Sequence, residues 1–140
     1  ATAESCTGGA IASRFTAMPG ASAYFRCGVV SYSNESKVKL LGVDPADIAR
    51  YGAVSEQVAR QMAEGARRVL GCDVAVSLTG IAGPGGEEPG KPVGTVWMGL
   101  STAAGVRSEL HRFDGDRAQV RSAAVARALE LLCEGLVESS

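Results

Sequence analysis

The uncharged run Val74 to Thr79 constrains the fold of this chain more than any other stretch. It is bounded by Gly71-Cys72-Asp73 on one side and Gly80 on the other. A short apolar run between turn residues reads as a strand buried on both faces, and Cys27 to Tyr32 reads the same way. Helical spacing is predicted at 8–17, 35–41, 55–70 and 116–137, with Ser55 beside Glu56, and Asp116, as N-terminal caps of the last two. Gly94 to Thr102 and Val106 to Phe113 read as a hairpin around Ala104-Gly105, which makes one pair antiparallel. Helices interleaved with buried strands require a sheet covered on both sides, an α/β fold. No repeat, low-complexity tract or linker interrupts the 140 residues, and 46% hydrophobic content is enough for one domain with its own core.

Several function classes are disfavoured at once. A net charge of −1, spread along the chain, offers no basic patch and argues against nucleic acid as the main ligand. No apolar run reaches the roughly 18 residues of a membrane span and no secretory signal is present, so a cytoplasmic protein without a membrane partner is expected. Cys6, Cys27, Cys72 and Cys133 form no C-x-x-C pair, which argues against a zinc site or a disulfide scaffold. Cys27 and Cys72 are expected in the core.

Chemistry concentrates in Thr2-Ala3-Glu4-Ser5-Cys6-Thr7-Gly8-Gly9, where a carboxylate, a hydroxyl, a thiol and two glycines meet at a strand-to-helix junction. Ser5 would lie near a helix start, whose unpaired N–H groups suit a nucleophile or a bound anion. The glycines would let a ligand or another backbone approach. The plainer alternative is a helix start capped by Ser or Thr.

A serine nucleophile needs a base. The single histidine, His111, lies in an alternating strand run and has no partner motif. Arginine cannot serve as a base near neutral pH, which leaves a carboxylate or one of the three lysines, 37, 39 and 91. At 100° per residue, Lys37 falls on the side of Val38, Leu40 and Leu41, whereas Lys39 points away beside Glu35. Lys37 is thus either a desolvated base or a lysine whose stem covers the core. Tyr32 ends the second strand, at the edge where open α/β sheets place their sites, and serves either packing or function. Asn34 either caps the following helix or contacts a ligand. Thr79-Gly80-Ile81-Ala82-Gly83-Pro84-Gly85-Gly86 is either a nucleotide cradle or a surface loop. Arg117 starts the last helix and either grips a phosphate or forms a surface ion pair. Gly85 to Lys91 has phosphate-loop spacing, but Pro92 replaces the expected Ser or Thr, and Glu87 and Glu88 would repel phosphate.

Ala3-Glu4-Ser5-Cys6-Thr7-Gly8-Gly9, Gly28 to Lys37, Gly52-Ala53-Val54-Ser55-Glu56, Thr79 to Gly86, Lys91 to Val96 and Phe113-Asp114-Gly115-Asp116-Arg117 occur in this order along nearly the whole chain. Together they resemble the CinA C-terminal-domain family, the nicotinamide-mononucleotide (NMN) amidohydrolases. The resemblance implies a three-layer α/β/α sandwich with a mixed, mostly parallel five-stranded sheet. It implies an enzyme that converts NMN to nicotinate mononucleotide and ammonia, without metal or other cofactor. Ser5 would be the nucleophile, Lys37 its base and Tyr32 an active-site residue that orients Lys37 or shuttles a proton. Cys6, Thr7, Gly8, Gly9, Ser22, Asn34, Thr79, Gly80 and Arg117 would bind substrate, although Ser22 by itself reads as a turn residue. Cys6 stands as a rival nucleophile, since thiolates at helix starts are potent. A non-catalytic nucleotide-binding or partner module linked to competence or DNA damage is the alternative. Family members carry a helix and the start of a strand before the first motif, and this chain starts almost on it. Val125, Leu129, Leu132 and Leu136 suit a core or an interface between copies equally.

Overall fold

The structure, a computed structural model, describes residues 1–139. Its strands are β1 (Thr2–Glu4), β2 (Gly28–Val30), β3 (Ala75–Gly80), β4 (Thr95–Thr102) and β5 (Gly105–Arg112). Its helices are α1 (Ala10–Thr16), α2 (Asn34–Leu41), α3 (Pro45–Tyr51), α4 (Glu56–Leu70) and α5 (Arg117–Glu138), with one 3-10 turn at Ala21–Ala23. The sheet order is β2-β1-β3-β4-β5. β1 runs parallel to β2 and β3, whereas β4 is antiparallel to both β3 and β5. Four strands therefore share a direction and β4 alone is reversed, which gives two antiparallel pairs where the hairpin predicted one. The connection 81–94 contains no helix, so the chain turns back from β3 without the crossover a parallel strand needs.

Each face of the sheet has its own core. On one side Val76, Leu78, Val96, Met98 and Leu100 pack against Ile11 and Phe15 of α1 and Val120, Ala124, Ala128 and Leu131 of α5. On the other, Ala3 and Ala75 pack with Leu41 of α2 and Val58, Met62 and Ala66 of α4. Period-two alternation sorts β3 between the layers. Its two hydroxyls are both satisfied: Ser77 Oγ donates to the Ala59 carbonyl of α4 at 2.6 Å and Thr79 Oγ1 to the Ala53 carbonyl, in the segment before α4, at 2.9 Å.

β3 is buried on both faces, as predicted, but β2 is a three-residue edge strand with Val30 48% exposed. An edge strand is paired on one side only and does not need a fully apolar run. Cys27 and Cys72 are half-buried rather than core residues, because they sit at element ends on the rim of the sheet. Ser55 caps α4 by accepting from Val58 N, and Asp116 with Gln119 forms a capping box on α5. The short helix α3 was not predicted. None of its side chains is fully buried and Ile48 packs only partly against the second core, so it leaves no apolar stripe, although Asp44 as cap and Pro45 at its first position are a start signal.

Parallel β1, β2 and β3 bring three connections to one edge: residues 5–9, 31–33 and 81–94. α2, which follows the second of these, rests on α4 where Gly65 faces the Leu41 backbone. A Cβ on Gly65 would overlap the Leu41 carbonyl. Alanine favours an exposed helix by about 1 kcal/mol over glycine, but overpacking costs about 1–3 kcal/mol. Gly65→Ala is expected to lower stability in urea unfolding, and a variant more stable than the parent would contradict this packing.

Candidate active site

The strand-to-helix junction after β1 is held by the residue before the candidate nucleophile. Glu4 is fully buried, and its carboxylate accepts from Thr7 Oγ1 at 2.6 Å, from Ile11 N at 2.9 Å and from Ala12 N at 3.1 Å. The anion at the start of α1 is therefore the protein's own carboxylate. This corrects two expectations. The first N–H groups of α1 are occupied rather than open to a ligand, and they are capped by Glu4 from the strand, not by a Ser or Thr at the helix start; the N-cap position is Gly9. Gly8 and Gly9 have φ of 59° and 101°, a left-handed turn that other residues adopt with difficulty, and Gly8 N donates to the Ser5 carbonyl at 3.0 Å.

Ser5 and Lys37 meet across this edge. Lys37 is 1% exposed. Its Nζ lies 3.2 Å from Ser5 Oγ, 2.8 Å from the Ser31 carbonyl and 3.2 Å from the Tyr32 carbonyl. Lys37 has no carboxylate among these partners, and burial pushes its pKa down; a charged Cys6 thiolate would oppose that shift. A neutral amine has two N–H groups and one lone pair. Two carbonyls accept the N–H groups, and the lone pair is left for the Ser5 hydroxyl proton. The helical-phase argument separates the two lysines of α2 as predicted: Lys39 is exposed and pairs with Glu35 at 2.8 Å. Leu41, one turn from Lys37, is its buried companion, while Leu40 is 51% exposed.

The same rim contains a cleft of about 510 Å³ lined by Cys6, Tyr32, Gly80, Ile81, Gly83 to Gly86 and Arg117, among others. Tyr32 is 59% exposed. Its phenol accepts from Arg117 Nη2 at 3.4 Å, so only its backbone carbonyl reaches Lys37. Arg117 Nη1 also donates to the Gly83 carbonyl at 2.7 Å, which ties the glycine-rich loop to the start of α5. Gly80 admits β4: a Cβ there would crowd Val96 Cγ2 at 2.7 Å and the Thr95 carbonyl at 2.9 Å.

Other predicted site residues are placed differently. Thr7 and Thr79 are buried and their hydroxyls bond to Glu4 and Ala53, so both act as scaffold in this arrangement. Ser33, not Asn34, caps α2 by accepting from Ser36 N; Asn34 is exposed at the first helical position. Ser22 lies exposed in the 3-10 turn, whose neighbours Ala23, Tyr24 and Phe25 line a cavity with Ala1 and Val74. That is the amino edge of the sheet, the end opposite Ser5. His111 Nε2 faces Glu109, whose carboxyl Arg127 holds down at about 2, and His111 on β5 is not among the residues that line the cleft. Lys91 donates to the Tyr51 carbonyl at 2.6 Å, with no helix after it, so the phosphate-loop spacing is coincidental.

Burial also separates the two nucleophile candidates. It pushes the Cys6 thiol up to about 11, against the weaker opposing effects of a backbone N–H, Arg121 and Arg117. The thiol is therefore protonated at neutral pH and a poor nucleophile. Sequence reasoning missed Arg121, whose Nε and Nη2 donate to the Cys6 and Thr7 carbonyls, each at 3.1 Å. Its spacing of four residues from Arg117, one turn along the same helix face, was the available signal. Among the described residues no three His, Cys, Asp or Glu side chains gather as a metal set, and no helix is long and apolar enough to cross a membrane.

Residues 1–136 match the sequence profile of the CinA C-terminal domain. A CinA-like protein of Geobacter metallireducens is 50% identical over 132 residues, 94% of this chain and 32% of that protein. A putative competence-damage inducible protein of Caldicellulosiruptor saccharolyticus is 48% identical, over 96% of this chain and 33% of its own. The chain thus spans about a third of the length of these curated relatives. Among solved structures, the competence damage-inducible protein A of Klebsiella pneumoniae superposes with a TM-score of 0.94 at 37% identity, covering 99% of this chain and 86% of that one. The competence/damage inducible protein CihA of Agrobacterium tumefaciens gives 0.92 at 44% identity, covering 96% and 82%.

The lowered pKa of Lys37 has a sign that can be checked. The folded state holds fewer protons than the unfolded chain between the lowered value and the ordinary lysine value, 10.5. Stability from this group is therefore present above 10.5 and is lost as pH falls through the folded value. Relative to Lys37→Met, the parent is expected to gain stability as pH rises toward 10.5, by up to about 1.4 kcal/mol per pH unit. Urea unfolding of both proteins across that range tests it, and a pH-independent difference would contradict a depressed Lys37.

Proposed function

The chain belongs to the CinA C-terminal domain family, and from that premise we propose that it is a serine-lysine amidohydrolase converting NMN to nicotinate mononucleotide and ammonia. The observation that supports this most is the 3.2 Å approach of Lys37 Nζ to Ser5 Oγ, with the amine buried, no carboxylate among its hydrogen-bond partners in the described residues, and two carbonyls holding it. Lys37 takes the proton of the Ser5 hydroxyl as Oγ attacks the carboxamide carbon. Backbone N–H groups of the Ser5 to Gly9 turn stabilise the oxyanion, Gly8 excepted because its N–H closes on Ser5. The intermediate collapses as Lys37 returns the proton to the leaving nitrogen, releasing ammonia and leaving an ester on Ser5. Water, deprotonated by Lys37, then attacks the ester; the acid leaves and Ser5 recovers its proton.

The cleft accounts for the rest of the substrate. Arg117, with three N–H donors beyond its two contacts, suits the phosphate. The glycine loop from Gly80 to Gly86 allows the nucleotide to lie close to backbone. Tyr32 stands on Arg117 and the cleft side, so the proton path runs through Lys37 rather than the phenol.

Ammonia release from NMN by the parent, Ser5→Ala, Lys37→Ala and Cys6→Ala proteins, each checked for folding by circular dichroism, tests this reading. Turnover is expected in the parent and in Cys6→Ala, with a loss of about 10²–10⁴-fold in Lys37→Ala and at least as much in Ser5→Ala. A folded parent that NMN stabilises against heat but does not hydrolyse would favour the binding-module alternative. Activity that survives Ser5→Ala and vanishes in Cys6→Ala would reverse the choice of nucleophile.

A further inference from the structure

Gly8 and Gly9 give the turn that carries Ser5 a backbone with few steric limits, and within it Gly8 N donates to the Ser5 carbonyl and Ala10 N to the Thr7 carbonyl, each at 3.0 Å. Two side chains tie it down from opposite directions. Glu4 holds the Thr7 hydroxyl from the strand. Arg121 of α5 holds the Cys6 and Thr7 carbonyls through one guanidinium, at 3.1 Å each.

In a trans peptide the C=O and the following N–H point in opposite directions. A donor fixed on the Cys6 carbonyl therefore sets the direction of the Thr7 N–H, and one on the Thr7 carbonyl sets that of Gly8. The Gly8 N–H closes the turn on the Ser5 carbonyl. The Thr7 N–H is left turned away from α5. Hydrogen bonds also polarise along a chain, so a cation on the carbonyls makes the linked N–H groups stronger donors. A planar fork reaches two successive carbonyls at once, which a lysine ammonium on a flexible stem does not reproduce.

We propose that Arg121 is a positioning residue for attack by Ser5, holding the Cys6 peptide plane so that the Thr7 N–H faces the developing oxyanion, and the Thr7 plane so that the Gly8 N–H closes the turn on the Ser5 carbonyl. This rests on the serine-nucleophile reading above. Arg121 works through the backbone and touches no reacting atom, which distinguishes it from Arg117, its neighbour one turn earlier on the cleft wall.

A fluorophosphonate tests the inference without depending on the natural substrate. Ser5 Oγ forms a bond to phosphorus, its proton passes to Lys37, and fluoride leaves, while charge builds on the phosphoryl oxygen. The rate of labelling is compared for the parent, Arg121→Ala and Arg121→Lys, with Ser5→Ala to confirm the point of attachment. Arg121→Ala is expected to label up to about 100-fold more slowly, with Arg121→Lys in between. Ethylguanidinium at low concentration is expected to speed the alanine variant and not the parent. With NMN as substrate, kcat is expected to fall while KM stays near the parent value. Labelling of a folded Arg121→Ala protein at the parent rate overturns the inference and leaves the nucleophile assignment standing; so does a rise in KM at constant kcat, which would make Arg121 a substrate contact. If Arg121→Ala does not fold, parent-like labelling of Arg121→Lys, without the second contact, overturns it equally. A parent that is never labelled at Ser5 removes the nucleophile reading and this inference with it.

Discussion

A lysine amine removed from water and given no carboxylate is the interaction on which the site depends. A charged group in such surroundings loses hydration that two carbonyls and a hydroxyl only partly replace. The neutral form relieves this and needs two acceptors for its N–H groups and one donor for its lone pair. Ser31, Tyr32 and Ser5 supply that set within 3.2 Å. Elements that look merely structural serve it. The Ser33 cap starts α2 at the turn that lets Lys37 reach back to the end of β2. Leu41 and Gly65 seat α2 on α4, with Lys37 one turn before the contact.

The second constraint is the parallel order of β2, β1 and β3, which puts the Ser5 turn between the Lys37 loop and the glycine-rich loop. Nothing in β1 alone could bring these together. β1 is three residues long, and the ladder to its neighbours sets its register. Burial of Glu4 at its end is tolerated because every oxygen is used, on Thr7 and the first turn of α1. The result is a nucleophile carried on a turn anchored to the sheet by an anion and to α5 by a cation.

Much of this could be read in the residues. The uncharged run of β3, the hairpin β4–β5 and the caps Ser55 and Asp116 are local signals, and local physics places them correctly. Helical phase separated Lys37 from Lys39 because α2 buries one face only. The misses have a common cause. Glu4 as the cap of α1, Arg121 on the Cys6 and Thr7 carbonyls, and Thr79 bound to Ala53 are contacts between residues far apart or across a turn, with no periodicity to announce them. The same applies to Ser22: a loop serine has no phase, and only the course of α1 back along the sheet shows at which edge it lies. The extra antiparallel pair follows from a connection without a helix, which the glycine- and proline-rich stretch 80–94 marks in the sequence without periodicity of its own.

The most direct test of the central claim is the ionisation of Lys37 itself. The chain has only three lysines, so protein labelled with 13C at lysine Cε yields three resolvable signals across a pH titration, each assignable by substitution. The account predicts that Lys37 titrates well below the ordinary lysine value of 10.5, because burial penalises its charged form. It also predicts that Ser5→Ala perturbs the Lys37 signal and leaves Lys39 and Lys91 unchanged. A Lys37 signal that titrates in the ordinary lysine range would mean that the buried amine stays charged, and the base of the proposed mechanism would be lost.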